Sequence, residues 1–422
     1  MTSAANVFAK EPDEQPPGEA DGIPDYPMPR AEGCPYDPPP ALRSARRASA
    51  ISKVRLWDGT TPWLVTGYAE QRELLSDSRM SSDVTLPGFP HISETFRARR
   101  TTRKRRSFIN FDDPEHARLR RMVTAPFTAR RVEAMRPGIQ RIVDAAIDSM
   151  TAGPRPADLV RSLALAVPSL VICELLGVPY EDHDFFQRNS RDLINGESAP
   201  QVALDAQRNL HEYLNRLVAA KDADPGDDLL SELVVRQVRS NALTCEDVVL
   251  TSMLLLIAGH ETTANMIALG TLALLDHPDQ LALLREGDDP LAVALAVEEL
   301  LRYLTVLHTG RGRVAREDVE VAGTIVRAGD GVILVNSIAN RDGTAFPDPD
   351  RLDVTRDARR HLAFGFGVHQ CLGQALARVE LQVVYATLLR RMPNLRLAVD
   401  RERVPFKNGG LVYGVYELPV TW

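Results

Sequence analysis

From about Pro114 to Leu301, leucines and valines recur at spacings of three and four residues, which is the pattern of helices with one buried face. Before this region, the short apolar runs KVRLW and PWLVTGY flank Asp58-Gly59 and predict a hairpin of two short strands, followed by a helix near residues 69–75. Short strands are predicted to return only after Gly310. We therefore expect a mainly α-helical chain with a smaller β region.

The sequence predicts one long helix near the middle of the chain. Thr244 followed three residues later by Asp247 is a variant of the capping box, and the periodic pattern then continues to His277, before Pro278. At a rise of about 1.5 Å per residue such a helix would be about 50 Å long, enough to cross the whole domain. Its apolar run is interrupted by AGHETT well short of the roughly 20 residues that span a bilayer, so we predict a buried helix and no membrane span.

Residues 1–40 are rich in proline, which favours an extended arm laid on the body or trailing from it. No internal repeat and no glycine- or serine-rich linker divides the rest of the chain. We therefore predict an arm over residues 1–40 and a single domain over residues 41–422.

Composition narrows the class of protein. The chain has 422 residues, 44% of them hydrophobic, and a formal net charge of -7, which does not indicate binding to nucleic acid. The polar, proline-rich start has no export signal. The four cysteines lack C-x-x-C spacing, which argues against a disulfide framework, a zinc knuckle and covalently attached haem: Cys34, Cys173, Cys245 and Cys371. We expect a cytoplasmic monomer.

One cysteine stands out by its surroundings. Residues 361–380 read HLAFGFGVHQCLGQALARVE, so Cys371 comes immediately before a stretch that favours a helix from near Leu372. The start of a helix lowers the pKa of a thiol. Glycines that allow tight turns and aromatic rings suited to a flat ligand surround it: Gly365, Gly367, Gly373, Phe364 and Phe366. From these residues alone, a buried structural cysteine in a turn is an equally good interpretation.

The segment resembles the signature of the cytochrome P450 superfamily, F-x-x-G-x-[HR]-x-C-x-G. The matching residues are Phe364, Gly367, His369, Cys371 and Gly373. The resemblance implies the triangular-prism P450 fold, with haem b between the long central helix and the helix that follows the cysteine. It also implies that Cys371 is the iron ligand, that its sulfur favours O–O cleavage, that His369 contacts a haem propionate, and that Phe364, Gly365 and Gly373 lie at the cofactor.

Two further segments resemble P450 motifs in the expected order. Glu299-Leu300-Leu301-Arg302 is similar to the family's E-x-x-R, whose two charges share a helix face; Arg351 is expected to complete the family's Glu-Arg-Arg lock. His116 and Arg120 also share a helix face and resemble the pair that binds a haem propionate. Arg313 aligns with another propionate-binding arginine, with Arg311 as a close alternative.

The segment from Ala258 to Thr263 resembles the family's oxygen-activation motif. A threonine inside a helix can bond the carbonyl four residues back, here Ala258, and Gly259 lets the helix bend and open a groove for dioxygen and a water. The resemblance implies that Thr262 holds bound dioxygen and that Glu261 supplies protons from solvent. Without the cysteine segment, these residues would more often be an ordinary polar patch.

The resemblance also implies partners. No glycine-rich βα unit for a flavin or nicotinamide nucleotide is present, so electrons should come from a separate ferredoxin served by its reductase. The docking face on the cysteine side would include Arg118, Arg121, Arg130, Arg131 and Arg378. A denser basic cluster over residues 97–106 has three possible interpretations: a solvated loop, part of the docking face, or a counter-charge for an acidic or carrier-bound substrate.

The substrate pocket can be placed only by position in the family. Its expected walls are mostly apolar: Leu256, Ala258, Val306, Leu307, His308, Leu411, Val412 and Tyr413. Such walls suit a lipophilic small molecule. The residues of the motifs most resemble those of actinomycete P450s of secondary metabolism and xenobiotic oxidation. We expect an O2-dependent monooxygenase that hydroxylates or epoxidises its substrate. A peroxide-driven oxygenase and a binding-only relative stay open as alternatives.

Overall fold

The computed structural model describes residues 22–101, 107–194, 200–285, 289–409 and 411–422. The first 21 residues of the predicted arm and residues 102–106 of the basic cluster lie outside these ranges. Within them the chain is mainly helical with small sheets, as the hydrophobic pattern predicts. The helices are α1 Pro40–Ala48, α2 Tyr68–Ser76, α3 Glu94–Thr101, α4 Glu115–Thr124, α5 Ala129–Ala152, α6 Ala166–Leu176, α7 His183–Ile194, α8 Pro200–Ala223, α9 Leu229–Leu233, α10 Cys245–Asp276, α11 Pro278–Arg285, α12 Pro290–Leu304, α13 Asn336–Ala339 and α14 Gln374–Arg391.

In the described part of the chain, the strands are short and form three sheets. They are β1 Ile51–Lys53, β2 Trp63–Val65, β3 Met80–Ser81, β4 Ala157–Asp158, β5 Arg311–Ala315, β6 Val319–Val321, β7 Thr324–Val326, β8 Gly331–Leu334, β9 Arg396–Leu397 and β10 Pro419–Thr421. The largest sheet has the order β1-β2-β8-β5-β3, the second β4-β10-β9, and β6 pairs with β7.

The predicted hairpin is confirmed with a shift in its first strand. β1 pairs antiparallel with β2, and Gly59 adopts a left-handed φ of 80° in the connecting loop. β1 ends at Lys53, so most of KVRLW belongs to the loop. β4 was not predicted within the helical region, because two residues that pair only with the distant β10 carry no periodic signal.

The long central helix is confirmed as α10, which runs for 32 residues. The Thr244 hydroxyl accepts from the Asp247 N–H at 3.1 Å, and the Asp247 carboxylate accepts from the Thr244 N–H at 2.9 Å, so both halves of the capping box form. Among the described helices, none is long and apolar enough to cross a membrane. The cytoplasmic location stays a prediction.

α14 packs against α5, α10 and α12. Its Tyr385 hydroxyl donates to the Met266 carbonyl of α10 at 2.6 Å. A Cβ at Gly270 would lie 2.0 Å from the Tyr385 oxygen, so this glycine allows the two helices to approach. The contact fixes the cysteine segment, at the start of α14, relative to α10.

The predicted lock behind the cysteine segment exists, but its third residue is not Arg351. Arg302 and Glu299 are both 0% exposed and join through Nε and Oε2 at 2.7 Å. The side chain of Arg351 is 67% exposed and pairs with Asp353. The second guanidinium on Glu299 belongs to Arg356, whose Nε lies 3.2 Å from Oε1. The prediction for Arg351 is wrong because its N–H closes a turn onto the Asp348 carbonyl, and only its own carbonyl faces Arg302, at 3.4 Å.

The described part of the predicted arm lies on the body. The Tyr26 hydroxyl donates to the Thr309 carbonyl at 2.9 Å, and the Tyr36 hydroxyl donates to Asp276 at 2.6 Å. Arg341 donates to the Tyr36 carbonyl at 3.1 Å. The division into an arm and a single domain stays a prediction.

Candidate active site

The loop before α14 is shaped by glycines. Gly365 and Gly367 adopt left-handed φ values of 74° and 72°. A Cβ at Gly367 would lie 2.2 Å from the Leu75 carbonyl oxygen, so no other residue fits without moving backbone. The Cys371 N–H then donates to the Phe364 carbonyl at 2.9 Å, and α14 begins after Gly373. The loop therefore presents the thiol three residues before the first residue of α14, and this helix begins two residues later than the start near Leu372 that the sequence predicts.

Cys371 is partly exposed and forms no disulfide. Burial raises the pKa of its thiol, while the Gly373 N–H, Arg311 and Arg120 lower it, and burial is the larger effect. The helix-start contribution predicted from the sequence is thus present but outweighed. A metal ion bound to the sulfur would favour the thiolate over the thiol.

The residues expected at the haem propionates come together. The rings of His116 and His369 have centroids 4.0 Å apart. The Nε2 atom of His369 lies 3.1 Å from the Ser82 hydroxyl, whereas the buried Nε2 atom of His116 has no hydrogen-bond partner among the described residues. Burial and the nearby Arg313 lower the pKa of His369 to about 3. Two neutral imidazoles with a free ring nitrogen and adjacent cations suit an acidic ligand.

Three arginines surround this pair. Arg120 donates to the Gln370 carbonyl at 2.6 Å. Arg313 is buried, and burial together with Arg311 lowers its pKa to about 10. Arg311 and Arg313 both line a cavity of about 260 Å³ that also contains His369. The sequence left Arg311 and Arg313 as alternatives, and the structure brings both to the cavity, where the two carboxylates of a haem would neutralise their charge. The donor set therefore fits the implied cofactor.

The middle of α10 has an open face. Ala258 is exposed and Thr262 half-exposed, while their neighbours His260 and Glu261 are buried. The Thr262 hydroxyl donates to the Ala258 carbonyl at 2.7 Å, as predicted. α10 is helical throughout this stretch, and a Cβ at Gly259 would make ordinary van der Waals contact with the Ile172 side chain of α6, at 3.5 Å. The bend at Gly259 stays a prediction. An exposed alanine inside an otherwise buried helix indicates free space beside it.

The structure gives Glu261 partners that the sequence did not predict. Lys407 Nζ lies 2.7 Å from its Oε1, and the Asn265 amide donates to the same oxygen at 3.0 Å. Burial would raise the pKa of Glu261, but the charges of Lys407 and His260 and the hydrogen bonds from Lys407 and Asn265 hold it below its ordinary value. Glu261 is therefore an ionised carboxylate only 5% exposed, and the side chain of its partner Lys407 is more exposed, at 16%.

Lys407 reaches α10 because the C-terminal loop approaches it closely. Phe406 pairs with Val415, and the Lys407 N–H donates to the Gly414 carbonyl at 2.8 Å. A Cβ at Gly414 would lie 1.6 Å from the Asn265 side chain, so this glycine is required for the approach. Lys407 is 146 residues from Glu261 along the chain, and no local pattern marks it as a partner.

The predicted substrate walls do not all line one space. Leu256 is 1% exposed and packs in the main core, so its side chain does not share the open face of Ala258. Val306 and Val412 are also buried, and Leu307 pairs with Val412 across an isolated bridge. Leu307 and Leu411 line the cavity that contains His369. These two are the predicted wall residues that face the expected cofactor edge.

His308 and Tyr413 line another cavity, of about 870 Å³. Their ring centroids are 5.4 Å apart. Residues of the arm also line this cavity. The sequence predicts that His308 lies in the same pocket as Leu307 and Leu411, whereas the structure places it in a different cavity.

The expected docking face is only partly available. Arg378 pairs with the buried Glu298 at 2.5 Å and lies over the Phe364 ring, so its charge is used inside the loop. Arg118 and Arg131 pair with Glu115 and Glu232. Two exposed arginines form no ion pair with any residue in the described ranges: Arg121 and Arg130. In the basic cluster, the Arg97 guanidinium lies 3.6 Å from the Asp58 carboxylate. The side chains of residues 99–106 are not among those that the structure describes.

Comparison with known proteins supports the resemblance. The model of a family described as Cytochrome P450 matches residues 292–412. The chain is 53% identical to cytochrome P450 GfsF of Streptomyces halstedii over 100% of both chains. It is 48% identical to vitamin D3 dihydroxylase of Streptomyces griseolus, over 94% of this chain and 96% of that one. It is 40% identical to 20-oxo-5-O-mycaminosyltylactone 23-monooxygenase of Streptomyces fradiae, over 96% of this chain and 94% of that one.

The crystal structure of GfsF superposes on this chain with a TM-score of 0.90 at 54% identity, covering 95% of this chain and 100% of that one. Likeness of this extent confirms the predicted fold, mainly α-helical with a smaller β region.

Proposed function

Because the chain belongs to the cytochrome P450 monooxygenases, we propose that it inserts one oxygen atom from O2 into a lipophilic small molecule by hydroxylation or epoxidation. The observation that carries this proposal is the open face of α10, where Ala258 and Thr262 are accessible while the adjacent Glu261 is buried and ionised. An accessible hydroxyl beside a buried carboxylate is the pair that an O2-dependent reaction needs for proton delivery. A peroxide-driven enzyme has no such need.

The family implies haem, and we propose haem b with Cys371 as its iron ligand. Bound through a thiolate, haem supplies the reductive activation of O2 and the transfer of one oxygen atom. The propionates would be held by His116, Arg120, Arg313 and His369, with Arg311 as an additional donor. The faces of the ring would lie against Ala258, Phe364, Gly365 and Gly373.

For proton delivery we assign separate roles to three side chains. Thr262 positions the proton at the substrate side of α10, because its hydroxyl is accessible and anchored to Ala258. Glu261 holds the negative charge that accepts the next proton, and Lys407 keeps that carboxylate ionised and links it to the surface. No direct path from Glu261 to solvent is needed on this assignment.

We propose that the enzyme is a monomer and that it receives its electrons from a ferredoxin, which a reductase reduces. Arg121 and Arg130 are the exposed cations best suited to an acidic donor, since they form no ion pair with described residues. Electrostatic docking of this kind acts mainly on the rate of encounter. Raising the salt concentration should therefore slow reduction of the iron in the wild type more than in Arg121→Gln/Arg130→Gln.

The proposal is tested with Thr262→Ala in the purified holoenzyme, reconstituted with a ferredoxin and its reductase. Reducing equivalents should be diverted from product to peroxide or water, while the carbon monoxide difference spectrum stays that of a haem thiolate. Thr263→Ala is a matched control, because Thr263 is the adjacent threonine but is buried. Unchanged coupling in Thr262→Ala, or product formation from peroxide alone at the same rate, would refute the O2-dependent assignment.

A further inference from the structure

A cavity on the arm side of the molecule has a volume of about 870 Å³. Its walls come from the arm, from the segment before α3, from the turn before β5 and from the C-terminal loop. Apolar side chains form much of the lining: Met28, Ile92, Phe96, Phe406 and Tyr413. This volume is in the range of sites for drug-sized ligands, which are mostly apolar with a few polar groups.

Arg30 is the cation on the inner side of this cavity. Its guanidinium lies 3.7 Å from the centre of the Tyr413 ring, and its Nη1 donates to the Pro35 and Asp37 carbonyls at 3.3 and 2.6 Å. These acceptors are neutral, and no carboxylate among the described residues forms an ion pair with Arg30. Its Nε atom is buried without a partner among the described residues. The charge of Asp37 acts on Arg30, but Asp37 lies in ion pairs with Arg43 and Arg341, so Arg30 is a partly buried guanidinium without a direct ion-pair partner.

The acidic residues of the cavity lie on its rim. Glu32 and Glu402 are both exposed, and Glu402 lies 3.5 Å from Arg401. Neither compensates Arg30 directly. Arg401 also lines the cavity, but it is half-exposed and lies 3.5 Å from Glu402 and 3.9 Å from Asp276. Arg30 is therefore the lining arginine that forms no ion pair with a described residue.

The arm-side cavity adjoins the smaller cavity that contains His369, Arg311 and Arg313. Ile92, Phe96 and Thr309 line both of them. Within the described ranges, the Thr309 hydroxyl is buried without a hydrogen-bond partner, and the Thr309 carbonyl accepts the hydrogen bond by which Tyr26 anchors the arm. The two cavities thus share a wall between the arm and the expected cofactor edge.

We propose that the arm-side cavity is the first binding site of the substrate, and that it selects amphipathic molecules with an apolar body and a single carboxylate, which pairs with Arg30. This inference rests on the proposed function, because it assigns the ligand as a substrate on its way to the cofactor. The apolar walls bind the body, Arg30 takes the charge, and the residues shared with the smaller cavity mark the way inward. Met28 and Arg30 of the arm then contribute to substrate specificity.

The test uses decanoate and decan-1-ol as matched probes, with and without the charge. Binding to the purified holoenzyme is measured by calorimetry, which does not depend on turnover, and the Soret shift is followed in parallel. In Arg30→Gln, decanoate should bind about 10- to 100-fold more weakly, because a charge-assisted hydrogen bond contributes about that much to affinity. The Soret shift that decanoate causes should also develop more slowly. Decan-1-ol should be unaffected, and Arg30→Lys should retain most of the decanoate affinity.

Arg43→Gln is the control for the order of the arm. Arg43 lies 3.0 Å from Asp37 and 2.8 Å from Asp350 but does not line the cavity, so this change loosens the same region without removing the charge. Equal affinity of wild type and Arg30→Gln for decanoate would overturn the proposal, as would an equal loss in Arg43→Gln. Binding that saturates without any Soret shift would also overturn it, because the site would then not lead to the cofactor. Failure of the proposed function would give a different result from failure of this proposal. The protein would then show no thiolate spectrum, while binding of decanoate would still depend on Arg30.

Discussion

The two sides of the active site are built in different ways. On the cysteine side, backbone geometry and neighbours close in sequence form the loop: two left-handed glycines, the Cys371 N–H bonded to Phe364, and the start of α14. On the α10 side, the reactive residues depend on side chains from distant segments, above all Lys407 on Glu261. A rigid local loop tolerates little change, whereas a long-range polar contact can be adjusted without loss of the fold.

This difference predicts different consequences of substitution. Changes on the cysteine side should remove the cofactor or destabilise the protein. Changes on the α10 side should leave the cofactor bound and alter how electrons and protons are used.

The largest expected effect is on the cysteine side. Cys371→Ser should abolish the carbon monoxide difference band of a haem thiolate, because the sulfur ligand is replaced by a weaker oxygen ligand. Cys34→Ser, an exposed cysteine on the arm, should leave the band unchanged. Survival of the band in Cys371→Ser would contradict the assignment of the iron ligand.

The lock behind the loop comes next. Arg302→Met should reduce the free energy of unfolding by about 3–5 kcal/mol, because it leaves the fully buried Glu299 without its main partner. Urea unfolding of the holoenzyme measures this. Arg356→Gln should destabilise less, and Arg351→Gln should change the free energy of unfolding by less than about 0.5 kcal/mol, since that side chain is exposed. An Arg351→Gln variant as unstable as Arg356→Gln would restore Arg351 to the lock.

The glycine geometry is tested by Gly367→Ala. A left-handed residue other than glycine costs about 1–2 kcal/mol, and the added Cβ would also meet the Leu75 carbonyl at 2.2 Å. We expect a lower thermal unfolding midpoint and a lower haem content after gel filtration. Gly343→Ala is the control, because nothing lies within 4 Å of its Cβ position. Similar stability of the two variants would show that the loop is less constrained than its backbone indicates.

The smallest effect is expected on the α10 side. In the wild type, Lys407 holds the pKa of Glu261 below its ordinary value, so the carboxylate stays ionised as the pH falls from neutral toward that value. Lys407→Met leaves burial as the main influence, and the pKa should rise. Coupling of electrons to product should then fall on the order of tenfold at the acid end of the profile and recover at higher pH.

Product formed per reducing equivalent, measured against pH, checks this prediction. Lys407→Arg should keep the wild-type profile, and the thiolate spectrum should be intact in both variants. A uniform loss of coupling at every pH in Lys407→Met would indicate a structural role for the lysine instead.

The sequence by itself determined the long capped helix, the position of the critical thiol and the motif residues around it. The thiol and its motif residues were located by their resemblance to the P450 signature, whereas the helix depends on local periodicity and on a cap within three residues, which can be recognised in a short stretch of chain. The hairpin at Gly59 was recognised for the same reason, although the end of its first strand was not.

Only the tertiary structure decided which distant groups meet. It replaced Arg351 by Arg356 on Glu299, because a turn directs the Arg351 side chain outward. It brought both Arg311 and Arg313 to the cavity that contains His369, and it paired Lys407 with Glu261 across 146 residues. The physical reason is that the path of the folded backbone sets such contacts, and neither spacing nor residue type along the chain records that path.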